Sequence, residues 1–187
     1  MLEENDKTVL KNKINELKII FQKNRTEGIQ KYALFLDFDG VIHVFYQQGT
    51  PKYEQALKRM QDHFDFVDPE SLANVDRLVE EFQLDVIVSS SWRYNGLSYC
   101  RDYLKKSGMK NYSSVCDTTQ TDSYMDRRLE IVDYLLMHPV YSGFVVLDDI
   151  PMKEFKGSYI SIDPTAGFDD KCYKMACSVL RKYRFKK

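Results

Sequence analysis

The chain has no apolar run near the roughly 20 residues that would cross a bilayer. Its first residues are rich in Glu, Asp and Lys, without the apolar centre of a secretory leader. Its four cysteines, Cys100, Cys116, Cys172 and Cys177, show no Cys-x-x-Cys spacing and no nearby histidine pairing, so the common zinc frameworks are excluded. A reduced, cytoplasmic protein with no membrane partner is the expectation. Its histidines are few and scattered: His43, His63 and His138 read as surface or packing residues rather than ligands or bases. Charge of neither sign dominates. With 27 Lys and Arg against 28 Asp and Glu, the net charge of −1 gives no global pull toward nucleic acid or an anionic surface. No internal repeat or low-complexity tract is visible. What is present is a globular composition, 43% hydrophobic and 29% charged over 187 residues, long enough for one domain with a full core.

The chain is organised around Tyr32 to His43. An apolar run, Ala33 to Leu36, ends in two carboxylates one residue apart, Asp37 and Asp39, followed by Gly40. So short and apolar a run reads as a buried parallel strand. The period of two points Asp37 and Asp39 to one side and Phe38 to the other. Gly40 permits a sharp turn and offers backbone N–H groups to whatever is held there. Asp-x-Asp-Gly alone is also a turn signal. The strand running into it, and its partners further along, set it apart. Paired carboxylates at a strand's C-terminal end repel unless a cation lies between them or one is protonated, and a hard cation such as Mg²⁺ suits them.

Residues 1 to about 24 read as a helix with Leu10, Ile14, Leu17 and Phe21 on one face and a stop at Gly28. It forms an N-terminal extension (residues 1–30) that packs on the body or pairs chains; residues 31–187 form the main domain. The slot from Val44 to Phe66 is read as a loop or small flap, with a short helix from Tyr53 to Phe64. Asp68-Pro69 starts a helix, with Asp as N-cap and Pro at the first helical position. Its buried stripe is Leu72, Val75, Leu78, Val79 and Phe82. Asp85 to Val88 is the next strand and ends in Ser89-Ser90-Ser91-Trp92-Arg93. Further expected elements are a helix over 96–106, a short strand at Val115-Cys116 and a helix marked by Met125, Leu129, Val132 and Leu136. A strand from Phe144 to Leu147 ends in Asp148-Asp149; a last strand, Tyr159 to Ile162, ends at Asp163-Pro164. A helix over 169–183 closes the chain. This alternation predicts an α/β fold: a single doubly wound, Rossmann-like parallel sheet flanked by helices.

Leu-Asp-Phe-Asp-Gly-Val resembles motif I (Asp-x-Asp-Gly-Val/Thr) of the haloacid dehalogenase superfamily, most of whose members are Mg²⁺-dependent phosphatases. The resemblance extends over most of residues 32–165. Ser89 matches motif II, a Ser or Thr after the second strand, and Asp148-Asp149 match motif IV, an acidic pair. Motif III is usually a Lys, where this chain has Arg127-Arg128. Arg127 is assigned the role, with Arg128 in reserve. The slot at 44–66 is the superfamily's cap position and is too short here for a large cap. The resemblance implies Asp37 as nucleophile through an aspartyl-phosphate and Asp39 as acid and base. It implies Mg²⁺ on Asp37, the Asp39 carbonyl and the Asp148-Asp149 pair, and Ser89 donating to phosphate.

Val-Ile-Val-Ser-Ser-Ser-Trp-Arg is similar to a segment of the haloacid dehalogenase-type domain of the Swiss-army-knife RNA repair proteins. Ile162-Asp163-Pro164 with Gly167-Phe168 is similar to that domain's end. The substrate then implied is a phosphorylated nucleic-acid end, with Gly40, Ser90, Trp92, Arg93 and Arg128 as its contacts. Trp92 either stacks on a base or belongs to the core, and Arg93 either meets phosphate or ties a loop. The C-terminal Arg-Lys-Tyr-Arg-Phe-Lys-Lys is a backbone grip or a solvated helix end. Phosphomonoester hydrolysis is the expected activity. A nucleotide or sugar phosphate as substrate, and a catalytically silent phosphate-binding module, are the alternatives. Oligomeric state is left open.

Overall fold

The computed structural model describes residues 4–63, 67–119 and 126–185. In chain order the elements are α1 (Glu4–Thr26), β1 (Tyr32–Leu36), α2 (Pro51–His63), α3 (Pro69–Phe82), β2 (Asp85–Val88), α4 (Leu97–Lys106), β3 (Val115–Thr118), α5 (Arg127–Met137), β4 (Gly143–Asp148), β5 (Tyr159–Ser161) and α6 (Asp170–Phe185). All strand pairs are parallel, in the order β3-β2-β1-β4-β5. The chain steps outward from β1 through β2 to β3, then returns to the other side of β1 for β4 and β5. Strand order therefore reverses between β1 and β4, the crevice where doubly wound sheets hold ligands.

Alternation sorts the strand residues into two cores. Leu34, Leu36, Val86, Val88, Val145 and Leu147 pack with α3, α4 and α6 on one face. Ala33, Phe35, Ile87, Phe144 and Val146 pack with α1 and α5 on the other. Each strand runs five residues or fewer except β4, and the β1 and β4 residues are all buried. That is why they read as continuous apolar runs.

α1 lies on the sheet: Leu10, Leu17 and Phe21 are buried with β4 and α5, roughly 1.5–3 kcal/mol for each side chain. Lys13 pairs with Asp133, and Asn24 Nδ2 donates to the Pro139 and Tyr141 carbonyls at 2.9 and 2.6 Å. α3 starts at the expected cap, with Asp68 accepting from the Ser71 N–H. The 44–66 slot carries one helix, α2, which starts at Pro51, two residues before the expected Tyr53; Phe64 to Phe66 lie outside the described residues. β3 runs two residues beyond the expected Val115-Cys116, and α5 begins at Arg127, Met125 lying outside the described residues.

Within the described part of the C-terminal basic stretch, three residues have partners. Arg181 Nη2 meets Glu81 at 2.8 Å, Tyr183 stacks on Tyr32, and Arg184 lies 5.7 Å from the Phe82 ring centre. Cys100 and Cys177 are buried thiols, and burial, the largest cause, raises both above the usual range. No helix among the described residues is long and apolar enough to cross a membrane.

Candidate active site

Register does the first part of the work. Leu36 is paired with Val88 on one side and with Leu147 on the other. The next residue of each strand is Asp37, Ser89 and Asp148, so these three stand in one row across the switch point. Their parity places them on the α1 and α5 face. α5 begins at that row: Asp126 caps it by accepting from the Arg128 N–H, which fixes which arginine faces the sheet. Arg127 Nη1 donates to Asp37 Oδ2 and Asp148 Oδ2, both at 2.6 Å.

The electrostatics follow from crowding. Asp148 is fully buried, and burial pushes its carboxyl up to about 7, Arg127 pulling down and Asp37 pushing up. Asp149 is also raised, by burial first and then by Asp37. Burial works against the charge of Arg127, but Asp37 and Asp148 outweigh it and raise its pKa. Asp37 Oδ1 accepts from the Phe38 N–H at 2.8 Å.

These residues fit a divalent cation. Asp37, Asp148 and Asp149 each offer an oxygen within 4.8 Å of the others. Hard oxygen donors converging from two strand ends suit Mg²⁺ chemistry. Gly40 permits the approach: its φ is +76°, and a Cβ there would lie 2.7 Å from Asp149 Oδ2 and 3.0 Å from Pro164 Cβ. Beside the acids, the Ser89 hydroxyl is fully buried and has no hydrogen-bond partner among the described residues. Burying an unmade hydroxyl bond costs about 1–3 kcal/mol, and a ligand oxygen held in the row would satisfy it.

Asp39 stands apart from that cluster. Its carboxylate is half-exposed and receives His43 Nδ1 at 2.9 Å and Trp92 Nε1 at 3.2–3.3 Å. The expected substrate contacts are placed differently from one another. The Gly40 N–H is turned inward, donating to the His43 carbonyl at 2.9 Å, so it closes the turn. Ser90 is fully buried and caps the short 3-10 turn 91–95, accepting from the Trp92 N–H. Trp92 is partly buried against Phe38, His43 and Tyr103, between the two alternatives the sequence left open. Arg93 ties the loop: it donates to the Ser89 and Ser90 carbonyls at 3.3 and 2.9 Å and to Glu130 at 2.8 Å, with 8% of its surface exposed. Arg128 turns to Asp126 and Glu154, away from the acids.

Four participants were missed from the sequence. His43, set down as a surface or packing residue, is indeed packed but also binds Asp39; its spacing of four from Asp39 was the only signal. Tyr103, Thr119 and Glu130 gave none. Thr119 follows Thr118, the β3 partner of Val88, and so extends the row; its hydroxyl donates to Glu130 at 3.4 Å.

A doubly wound parallel sheet whose switch-point edge carries this acidic cluster, buried hydroxyl and arginine defines a haloacid dehalogenase-like fold, the class whose general chemistry is that of phosphatases. The family model described as the HAD domain in Swiss Army Knife RNA repair proteins matches residues 33–172, and the chain belongs to that family. No curated protein and no solved structure matches it.

Proposed function

We propose that the protein is a Mg²⁺-dependent phosphomonoester hydrolase that works through an aspartyl-phosphate on Asp37 and acts on phosphorylated nucleic-acid ends. The observation that carries the chemistry is the row itself: Asp37 and Asp148 joined by Arg127, with the unpartnered Ser89 hydroxyl beside them. Asp37 Oδ2 is held by Arg127 and Oδ1 by the Phe38 amide, which fixes the carboxylate for in-line attack on phosphorus. Ser89 Oγ–H donates to a phosphoryl oxygen. Asp39 gives a proton to the leaving oxygen as the phosphorus–oxygen bond breaks, then takes one from the water that opens the acyl phosphate. Asp37, Asp148, Asp149 and the Asp39 carbonyl would hold the cation, which offsets the charge of acids and phosphate when bound.

Two observations bear on the substrate class. The family is described from RNA repair proteins. The turn after β2 and the first turn of α4 also present two exposed rings, Tyr94 and Tyr99, that offer stacking surface beside the site. Release of inorganic phosphate from 3′- and 5′-phosphorylated oligonucleotides and from mononucleotides, each with Mg²⁺ and with EDTA, tests the reading. Metal-dependent release favouring the oligonucleotides is expected. Preference for mononucleotides would move the substrate to the small-molecule class, and binding without turnover would remove the hydrolase.

A further inference from the structure

His43 is a buried polar residue that the chemistry above does not use. Its side chain is 6% exposed, whereas that of Asp39, which it touches, is 46% exposed. The imidazole is held from all sides. Its backbone N–H donates to the Phe38 carbonyl at 2.9 Å, and its ring centre lies 4.8 Å from Trp92, 5.7 Å from Tyr103 and 5.9 Å from Phe38. Both ring nitrogens are engaged: Nδ1 with Asp39 Oδ1 at 2.9 Å, Nε2 with the Tyr103 hydroxyl at 2.9 Å. With hydrogen on Nδ1 the ring donates to Asp39 Oδ1, whether the acid is bare or carries its proton on Oδ2. The Tyr103 hydroxyl is then the donor to Nε2 in the neutral ring.

The two carboxylate oxygens of Asp39 are therefore unequal. Oδ1 accepts from His43 and, at 3.3 Å, from Trp92; among the described residues Oδ2 accepts from Trp92 alone, at 3.2 Å. A proton on Asp39 goes to the oxygen with fewer donors aimed at it, because a protonated oxygen accepts poorly.

We propose that His43 is a positioning residue for Asp39, locking Oδ1 so that Oδ2 carries the proton to the leaving oxygen. This rests on the phosphatase reading above and names the device that aims its acid. In the first half-reaction the Asp37–phosphorus bond forms, the phosphorus–leaving-oxygen bond breaks, and the Oδ2 proton passes to that oxygen. In the second, Oδ2 accepts a proton from water as its oxygen attacks phosphorus, which returns Asp37 as carboxylate and releases inorganic phosphate. His43 keeps its own proton throughout. An apolar ring would fill the same cage without two nitrogen contacts, so packing alone does not account for a histidine here.

The test is the dependence of rate on leaving group. Wild type, His43→Ala, His43→Asn and Tyr103→Phe are compared on dinitrophenyl phosphate, whose leaving group needs no proton, and on a simple alkyl phosphate, whose leaving group does. His43→Ala is expected to lose at least about tenfold more rate on the alkyl ester than on the aryl ester, within the 10²–10⁴-fold worth of a placed general acid. His43→Asn, whose amide N–H stands near the position of Nδ1, is expected to recover part of that difference, and Tyr103→Phe to show a smaller one of the same sign. If His43→Ala does not fold, the asparagine and Tyr103→Phe variants carry the comparison. Equal losses on both esters, or full alkyl hydrolysis by His43→Ala, would overturn the proposal. A wild type inactive on both esters overturns the phosphatase reading first, and this inference with it.

Discussion

The two aspartates of Asp-x-Asp sit in contrasting surroundings, two residues apart. Asp37 continues a buried strand and is held by charge: an arginine shared with a second buried acid, against a third carboxylate. Asp39 has left the strand and is held by the ring N–H groups of His43 and Trp92 in an aromatic cage, half-open to solvent. A nucleophile must be ionised, which cations favour. A proton carrier must change charge during the reaction, and a carboxylate open to solvent can do that at lower cost. In the proposed mechanism one strand end thus divides ionic from protonic chemistry by letting the chain turn after Phe38.

Substitutions sharpen the contrast. Asp37→Asn removes the proposed nucleophile and is expected to lower turnover by more than about 10⁴-fold, read as Mg²⁺-dependent phosphate release. Asp39→Asn is expected to cost about 10²–10⁴-fold, with the loss concentrated in substrates with poor leaving groups. If both variants lose equally on every ester, the division of roles fails. Arg127→Ala leaves Asp37 and Asp148 facing each other; in chelator it is expected to cost about 3–5 kcal/mol in denaturant unfolding, with Mg²⁺ returning part of it.

A pH series tests the ionic side. Asp148 holds its proton in the fold up to about 7, against 3.8 in the ordinary carboxyl. Between those values the folded chain keeps a proton that the unfolded chain has released, so stability in chelator is expected to fall as pH rises through the interval. Asp148→Asn should flatten that slope. The smallest effect belongs to Arg128→Ala, which removes pairs to Asp126 and Glu154 at the surface: about 0.2–1 kcal/mol in melting and little change in turnover.

How much of this the sequence exposed depends on range. The sheet was legible because each buried strand is an apolar run closed by Asp37, Ser89 or Asp148, a local pattern. The row itself follows from parallel register, which such runs impose together. Arg127 and Arg128 were separable only through a cap: once Asp126 starts α5, Arg127 alone faces the row. Arg93 was open for a different reason, since its partner Glu130 lies on another helix and no local spacing joins them. His43 was discounted because a lone histidine carries no period. Its role arises from a turn that folds residue 43 back on residue 39 and from Tyr103 on α4.

Trp92 is the single tryptophan of the chain, and its indole N–H points at the Asp39 carboxylate. The protein thereby carries an optical reporter in its own site. A change in the charge or position of Asp39 alters the field on one indole, with no second tryptophan to blur the signal. Stepwise addition of Mg²⁺ or of a phosphate mimic should therefore shift or quench the intrinsic emission, without any label. The response should disappear in Asp39→Ala and survive in Arg128→Ala.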